Sequence, residues 1–219
     1  MERNIGSEAI LNLRDNQGSL FTEDTGLNHF EKSNEFCRIG LHEFTRSKKF
    51  NHDGFPCCKY CNSDLIDWHQ LHKFKPYDFD FKIMELRKEK FRDDWWIKEI
   101  DQKAKNHALR KGRLELRNFV RKRIYQSVGI VHDLGSVIKR PYRDGYQTPF
   151  SGNIVYYAQH ALACCCRKCL EIWHGIPRGR DLYDNEINLL SDLIMQFIDN
   201  RLTDLKNEGY HIPATHKQN

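Results

Sequence analysis

The sequence has no long apolar run. No stretch reaches the roughly 18 consecutive apolar residues that a membrane-spanning helix needs, so no membrane span is predicted. The N-terminus also lacks a basic segment followed by an apolar one, the pattern of a secretory signal. We therefore expect a cytoplasmic protein in a reducing environment.

The familiar short motifs of catalysis are missing as well. The chain has no HExxH, P-loop, GxSxG or GxGxxG pattern. A zinc nucleobase deaminase would need P-C-x-x-C, but the dipeptide Pro56-Cys57 is followed by Tyr60 where the second cysteine would stand. These absences exclude motif-defined enzyme classes and leave the question of catalysis open.

Apolar residues are fewer than in an average domain, at 39%, while charged residues make up 30% and aromatic residues 12%. This aromatic content argues against disorder. A chain of 219 residues can form one core with a small satellite module.

The periodicity of apolar residues predicts a mainly α fold, a helical domain with a small N-terminal zinc knuckle or ribbon. We predict a loosely ordered tail over 1–35, a zinc-knuckle-like segment over 36–79, a helical metal-binding domain over 80–210 and a flexible tail over 211–219. The predicted helices cover a short piece near 9–13, then 80–126 with a break or weak point at Gly112, 154–173 ended by Gly175, and 184–207 ended by Gly209.

Eight cysteines fall mainly into two groups, one near residue 60 and one near residue 166. In a reducing compartment, grouped cysteines with nearby histidines are more typical of metal sites than of disulfides. Zinc favours four ligands drawn from thiolate and imidazole. The sequence therefore predicts one or two zinc ions.

The C-terminal group offers more ligands than one ion needs. On a helix, cysteines three or four residues apart share a face. The preferred set is Cys166, Cys169 and His174 with either His160 or Cys165, and Cys164 is interpreted as a small core residue. A redox pair is less favoured, because such pairs sit at helix N-termini and this one falls late in the predicted helix.

The N-terminal group has the pattern C-x2-C-x7-H-x2-H, formed by Cys58, Cys61, His69 and His72. Cys37 and Cys57 could replace one of these four ligands. In a different arrangement, Cys58 and Cys61 join Cys166 and Cys169 in one shared four-thiolate site.

Basic residues concentrate in one predicted helix. Residues 103–123 hold nine basic side chains and one acidic one, whereas residues 181–208 hold seven acids and two bases. The candidate nucleic-acid contacts on this helix are Arg110, Lys111, Arg113, Arg117, Arg121, Lys122 and Arg123. The helix could instead present a solvated face that neutralises the acidic final helix. Arg178 and Arg180 form a candidate phosphate grip that could equally pair with Asp181 or Asp184.

These patterns favour a zinc-binding protein that binds nucleic acid, with metal as a structural staple. The main rival hypothesis is a metal-dependent, nuclease-like hydrolase at the C-terminal site, with His160 or Glu171 as general base. A thiol or iron–sulfur role for the crowded cysteines and a protein-binding module are two further hypotheses.

A block of residues in the C-terminal half is distinctive: Gln147-Thr148-Pro149, Gln159-His160, Cys165-Cys166, Cys169 and Trp173-His174-Gly175 with Pro177, Gly179 and Arg180. Through this block, residues 85–205 resemble a bacterial family of unknown function, numbered 4186. The resemblance implies a metal-binding helical domain and no particular reaction. Cys164 and Tyr183 depart from the expected pattern, which puts in doubt Cys164 as a ligand and the start of the final helix.

Overall fold

A computed structural model describes residues 35–73, 78–130 and 148–213. The short helix predicted near 9–13 and the outer parts of the two predicted tails lie outside these ranges. Within them the chain is helical and contains no β-strand, which confirms the predicted mainly α class. Residues 35–38 are helical. After them come seven α-helices and one π-helical turn, in this order: α1 Trp68–Leu71, α2 Phe79–Arg87, α3 Lys90–Ile97, α4 Gln102–Ile124, the π-turn Tyr125–Gly129, α5 Ile154–Ala161, α6 Arg167–His174 and α7 Asp184–Arg201. None of these helices is long and apolar enough to cross a bilayer.

Helix α5 lies at the centre of the helical part, packed against α3, α4 and α7. Its residues are almost all buried, since it is covered on several sides. Asn153 caps its start by accepting a hydrogen bond from the Val155 amide at 3.0 Å. Asp101 caps α4 and also accepts a hydrogen bond from the Tyr157 hydroxyl at 2.9 Å, so one carboxylate ties α4 to α5.

The predicted helix over 80–126 is divided into α2, α3 and α4. Gly112 interrupts α4, as its φ of 66° and ψ of 170° are not helical. The amide groups that the kink frees are satisfied by the C-terminal segment: the Arg113 amide donates to the Lys206 carbonyl at 2.8 Å, and the Leu114 amide to Asn207 at 3.1 Å. Helix α7 ends at Arg201 and not near 207, because the residues that follow it turn back and bond to α4.

The predicted helix over 154–173 is also divided. Ala163 adopts a left-handed φ of 54°, and α6 restarts only at Arg167. The completely buried Arg167 guanidinium stabilises this turn by donating to the carbonyls of Val128 at 3.0 Å, Pro177 at 2.5 Å and Arg180 at 2.6 Å. Helix α6 ends at Gly175 as predicted, in the left-handed conformation with φ of 66°.

The N-terminal segment packs directly on the helical part. Phe44 and Trp68 contact Trp173 with ring centroids 6.2 and 5.0 Å apart. The Trp173 indole N–H donates to the Thr45 hydroxyl at 3.0 Å. The first cysteine group is therefore held against α6, the helix that carries part of the second group.

Candidate metal centres

The N-terminal ligand group consists of Cys37, His42, Cys58 and Cys61, here called centre 1. Their ligand atoms all lie within 4.8 Å of one another, and together they could hold a metal ion. The Cys37 and Cys58 sulfurs are 3.7 Å apart, and the Cys61 sulfur is 3.3 Å from Nδ1 of His42. Ligands at the usual zinc–sulfur distance of about 2.3 Å stand about 3.8 Å apart in a tetrahedron, which this spacing resembles.

Local backbone geometry presents the centre 1 ligands. Cys58 and Cys61 flank a tight turn in which the Asn62 amide donates to the Cys58 carbonyl at 3.0 Å, and Asn62 adopts a φ of 62°. Residues far along the sequence hold the backbone of His42. Its amide donates to the Lys88 carbonyl and its carbonyl accepts from the Lys90 amide, both at 2.8 Å. The link between α2 and α3 therefore positions one of the four ligands.

The electrostatics of centre 1 suit a cation. Burial, hydrogen bonds in which the Cys37 thiol donates to Cys61 and Cys58, and repulsion between the neighbouring thiolates raise the pKa of Cys37 to about 12. Burial and nearby Lys88 lower the pKa of His42, which keeps its imidazole neutral as a metal ligand must be. A bound divalent ion would remove the repulsion and allow the thiols to ionise.

The two histidines predicted for this site lie elsewhere. His69 contacts the Asp53 carboxylate at 3.1 Å, and Nε2 of His72 lies 2.8 Å from the Ile172 carbonyl. His72 therefore joins the N-terminal segment to α6. Cys57 is buried and is outside the group. The sequence placed Cys37 only as a substitute ligand and did not point to His42, although the C-x4-H spacing from Cys37 to His42 carries a usable signal.

The C-terminal ligand group consists of Cys165, Cys166 and Cys169, here called centre 2, and it too could hold a metal ion. Their sulfurs lie within 4.8 Å of one another, with Cys165 and Cys169 3.6 Å apart. Cys166 is the N-cap of α6 and Cys169 lies in its first turn. The prediction that this pair falls late in a helix is wrong, because the break at Ala163 moves the helix start to Arg167.

A buried arginine lies beside centre 2. Arg92 of α3 donates to the Cys169 sulfur at 3.1 Å and lies 3.9 Å from the Cys165 sulfur, while its Nη1 donates to the His160 carbonyl at 2.7 Å. Hydrogen bonds from Cys165 and Cys166, together with Arg92, hold the pKa of Cys169 well below its usual range despite burial. Of the three thiols, Cys169 is therefore the one that ionises most readily. Nothing in the local sequence pattern pointed to Arg92.

The histidines predicted for centre 2 serve packing roles in this structure. His160 stacks on Trp95 and on Phe150, with centroids 4.4 and 5.1 Å away, and these two rings also stack on each other at 5.5 Å. Its Nε2 donates to the Thr148 carbonyl at 2.9 Å. His174 is buried, with Nε2 2.9 Å from the Leu162 carbonyl. Cys164 is fully buried in the core, in keeping with its interpretation as a small core residue. The cysteines predicted as one shared site fall into the two separate groups.

Most of the predicted nucleic-acid contacts are engaged in ion pairs with acidic groups. Arg113, Arg117 and Arg121 pair with Asp199, Asp192 and Asp184 of α7 at 2.8, 2.5 and 2.8 Å. Lys111 pairs with Glu115 along α4, and Arg123 lies over the Tyr156 ring.

The two loop arginines are also paired, but not with the expected aspartates. Arg178 contacts Glu171 at 2.7 Å, and Arg180 makes two hydrogen bonds to Glu186 at 2.5 and 2.7 Å. Glu186 in turn accepts from the Tyr183 amide at 2.8 Å, which caps α7. Glu171, the second predicted general base, is therefore occupied by Arg178.

No solved structure matches this chain. A family comparison does: residues 80–199 match the domain of unknown function DUF4186. The match contains all of centre 2 and Arg92, whereas the centre 1 ligands precede it. As it covers more than half of the sequence, the chain belongs to the DUF4186 family.

Proposed function

We propose that this protein is a zinc protein in which centre 1 is a structural site. The carrying observation is that four ligands of the type zinc prefers, three thiols and one imidazole, converge within 4.8 Å. A complete set of four protein ligands is the mark of a structural zinc site, because no coordination position is left for a substrate.

The surrounding backbone supports this role. Between residues 39 and 67 the chain has turns and two isolated bridges but no helix or strand. Its backbone hydrogen bonds are separate turn and loop bonds without the regular pattern of a helix or a sheet, so the metal would supply much of its folding free energy. Since His42 is bridged to Lys88 and Lys90, the ion would also fix the N-terminal segment to the family domain.

The test is elemental analysis of zinc per chain in purified variants. His42→Ala and Cys61→Ser should each lose one ion relative to the wild type. His69→Ala is the matched control and should lose none, because His69 faces Asp53. Loss of zinc in His69→Ala with retention in His42→Ala would contradict the proposal.

We propose nucleic-acid binding as a second candidate function. It would use the basic side chains of α4 that do not form ion pairs. Arg110 and Lys122 are exposed on α4 and have no ion-pair partner among residues 35–73, 78–130 and 148–213. They remain available for phosphate contacts, whereas Arg113, Arg117 and Arg121 are largely neutralised.

The test compares Arg110→Glu/Lys122→Glu with Lys48→Glu/Lys49→Glu, which makes the same change of charge on an exposed part of the N-terminal segment. If α4 binds nucleic acid, the first variant should bind a random duplex at least about tenfold more weakly, with a shallower salt dependence. Equal affinity of the two variants would exclude this surface.

A further inference from the structure

We propose that centre 2 is a second metal site of a different kind, in which three thiolates bind a divalent ion whose fourth coordination position accepts a neutral donor from solution. The inference extends the proposed zinc function from a structural site to an exchangeable one. It does not require centre 1 to be occupied.

The spacing of the sulfurs favours a single ion. The 3.6 Å separation of Cys165 and Cys169 is close to the edge of about 3.8 Å expected for thiolates on one tetrahedral zinc. Thiolates that bind different irons of a cluster stand further apart, because the cluster lies between them. Centre 2 therefore fits a mononuclear site better than an iron–sulfur cluster.

Arg92 fixes the charge of the site. Arg92 is only 2% exposed to solvent. A buried cation needs an anionic partner. The buried carboxylate of Glu89 also interacts electrostatically with Arg92, while its oxygens accept hydrogen bonds from the amides of Phe44 and Thr45 at 2.8 and 3.3 Å. The guanidinium contacts sulfur directly, at 3.1 Å in Cys169.

A charge count follows from these contacts. Three thiolates, one guanidinium and one divalent ion together carry no net charge, and the buried Glu89 beside Arg92 can add only negative charge. A neutral fourth ligand would keep this largely buried group uncharged, whereas an anion would add an uncompensated buried charge. The site should therefore prefer neutral donors such as imidazole over anions such as thiocyanate.

The described residues supply no fourth ligand. The group contains three ligand atoms, and the nearby His160 ring is fixed by stacking on Trp95 and Phe150 and by its bond to the Thr148 carbonyl. Cys165 and Cys166 are partly exposed, while Cys169 is 6% exposed. The side of the site formed by Cys165 and Cys166 therefore faces solvent, where a ligand can enter. Sites with three protein ligands and one open position are those at which zinc exchanges ligands.

The experiment uses the full chain reconstituted with cobalt(II), whose visible absorption reports its ligands. Wild type should bind two cobalt ions, and Cys166→Ala should bind one. Imidazole should shift the absorption of the wild type in a saturable way and leave that of Cys166→Ala unchanged. Cys165→Ala should repeat the result, and Cys61→Ser, which removes a centre 1 ligand, should keep the imidazole response.

Three results would overturn the inference: two bound ions with no response to imidazole, a response to thiocyanate as tight as that to imidazole, or purification with iron and sulfide in place of one ion. One ion in wild type that is lost in Cys61→Ser but kept in Cys166→Ala would also overturn it, while leaving the zinc proposal for centre 1 intact. No ion in any protein would defeat both proposals.

Discussion

Arg92 is the residue that joins α3 to centre 2. Its guanidinium contacts two cysteine sulfurs and the carbonyl of His160, so it links α3, α5 and the start of α6. Burying a cation costs several kcal/mol unless it is paired. The thiolates of centre 2 and Arg92 therefore depend on each other.

We expect Arg92→Met to weaken metal binding at centre 2 by about tenfold or more, which is the usual effect of removing a residue that supports the ligands of a metal site. Methionine keeps much of the volume but removes the charge that balances the three thiolates. Arg92→Lys, which keeps the charge, is the control. Competition with a chelator measures the affinity, and an unchanged affinity in the methionine variant would contradict the role assigned to Arg92.

His174 gives the protein a defined response to acid. Burial, with a smaller effect of Lys82, lowers the pKa of His174 from 6.5 to about 3. The folded protein keeps this imidazole neutral, so below pH 6.5 the unfolded chain takes up the proton first. The free energy of unfolding should therefore be fully retained above pH 6.5 and should fall as pH drops from 6.5 toward 3, by up to about 1.4 kcal/mol per pH unit.

His174→Gln should make this pH dependence shallower by up to one proton, because glutamine can donate to the Leu162 carbonyl but does not titrate. Urea unfolding between pH 4 and 7 measures the slope. A slope equal to that of the wild type would show that His174 does not cause it.

The sequence predicts the ligands that are close along the chain and misses those that are not. Spacing alone indicates Cys58 with Cys61, and Cys166 with Cys169, and these pairs fall into the two groups. The C-x4-H spacing makes His42 a candidate ligand, but its position in centre 1 depends on backbone contacts with Lys88 and Lys90, more than 40 residues away, which spacing alone does not show. Likewise, the excess of nine basic over one acidic side chain in residues 103–123 does not indicate how many of the arginines pair with α7.

At the scale of elements, the breaks in the helices decide the geometry. A continuous helix over 154–173 would place Cys165 and Cys166 on different faces, whereas the turn at Ala163 brings both to the start of α6. Periodicity predicts helix on both sides of the break correctly. It cannot predict the break itself, because Arg167 stabilises the turn through the carbonyl of Val128, 39 residues away, and through two carbonyls of the loop after α6.

Gly112 is a second such break, and its substitution should be costly. A Cβ at this position would lie 2.3 Å from the backbone of Glu208, in addition to the strain of a φ of 66°. We expect Gly112→Ala to destabilise the protein by more than about 2 kcal/mol, a fall in Tm of more than roughly 4–8 °C.

Gly54→Ala is the matched control for thermal unfolding. Gly54 has a similar φ of 81° but no neighbour within 4 Å of the added carbon, so it should lose only the roughly 1–2 kcal/mol of left-handed strain. Equal losses of Tm in the two variants would mean that the close approach at Gly112 costs nothing.

At the scale of the whole molecule, we expect the stability of residues 35–73 to depend on metal more than that of the family domain. Helices α2 to α7 share one core, and residues 35–73 add Phe44, Trp68 and Leu71 to it. Metal removal should therefore loosen residues 35–73 before the helices α4, α5 and α7.

Limited proteolysis after treatment with a chelator checks this order. New cleavage should appear within residues 39–67, and the fragment that contains the helical core should persist, because most of its stability comes from apolar burial. Re-addition of zinc should restore protection. Simultaneous digestion of both parts would contradict the expected order.

The contact between the C-terminal segment and the kink in α4 also affects how the protein folds during its synthesis. Gly209 lies so close to α4 that a Cβ there would meet the Arg110 carbonyl at 1.9 Å, and the Tyr210 amide donates to the Leu109 carbonyl at 3.1 Å. During synthesis the first half of α4 leaves the ribosome about 100 residues before its partners do. At a synthesis rate of about 5–20 residues per second, the nascent chain spends several seconds without the contact between α4 and the C-terminal segment. The segment over 206–210 therefore completes this contact only after the residues before it have been made, and a ribosome that stops before reaching it leaves α4 without these hydrogen bonds.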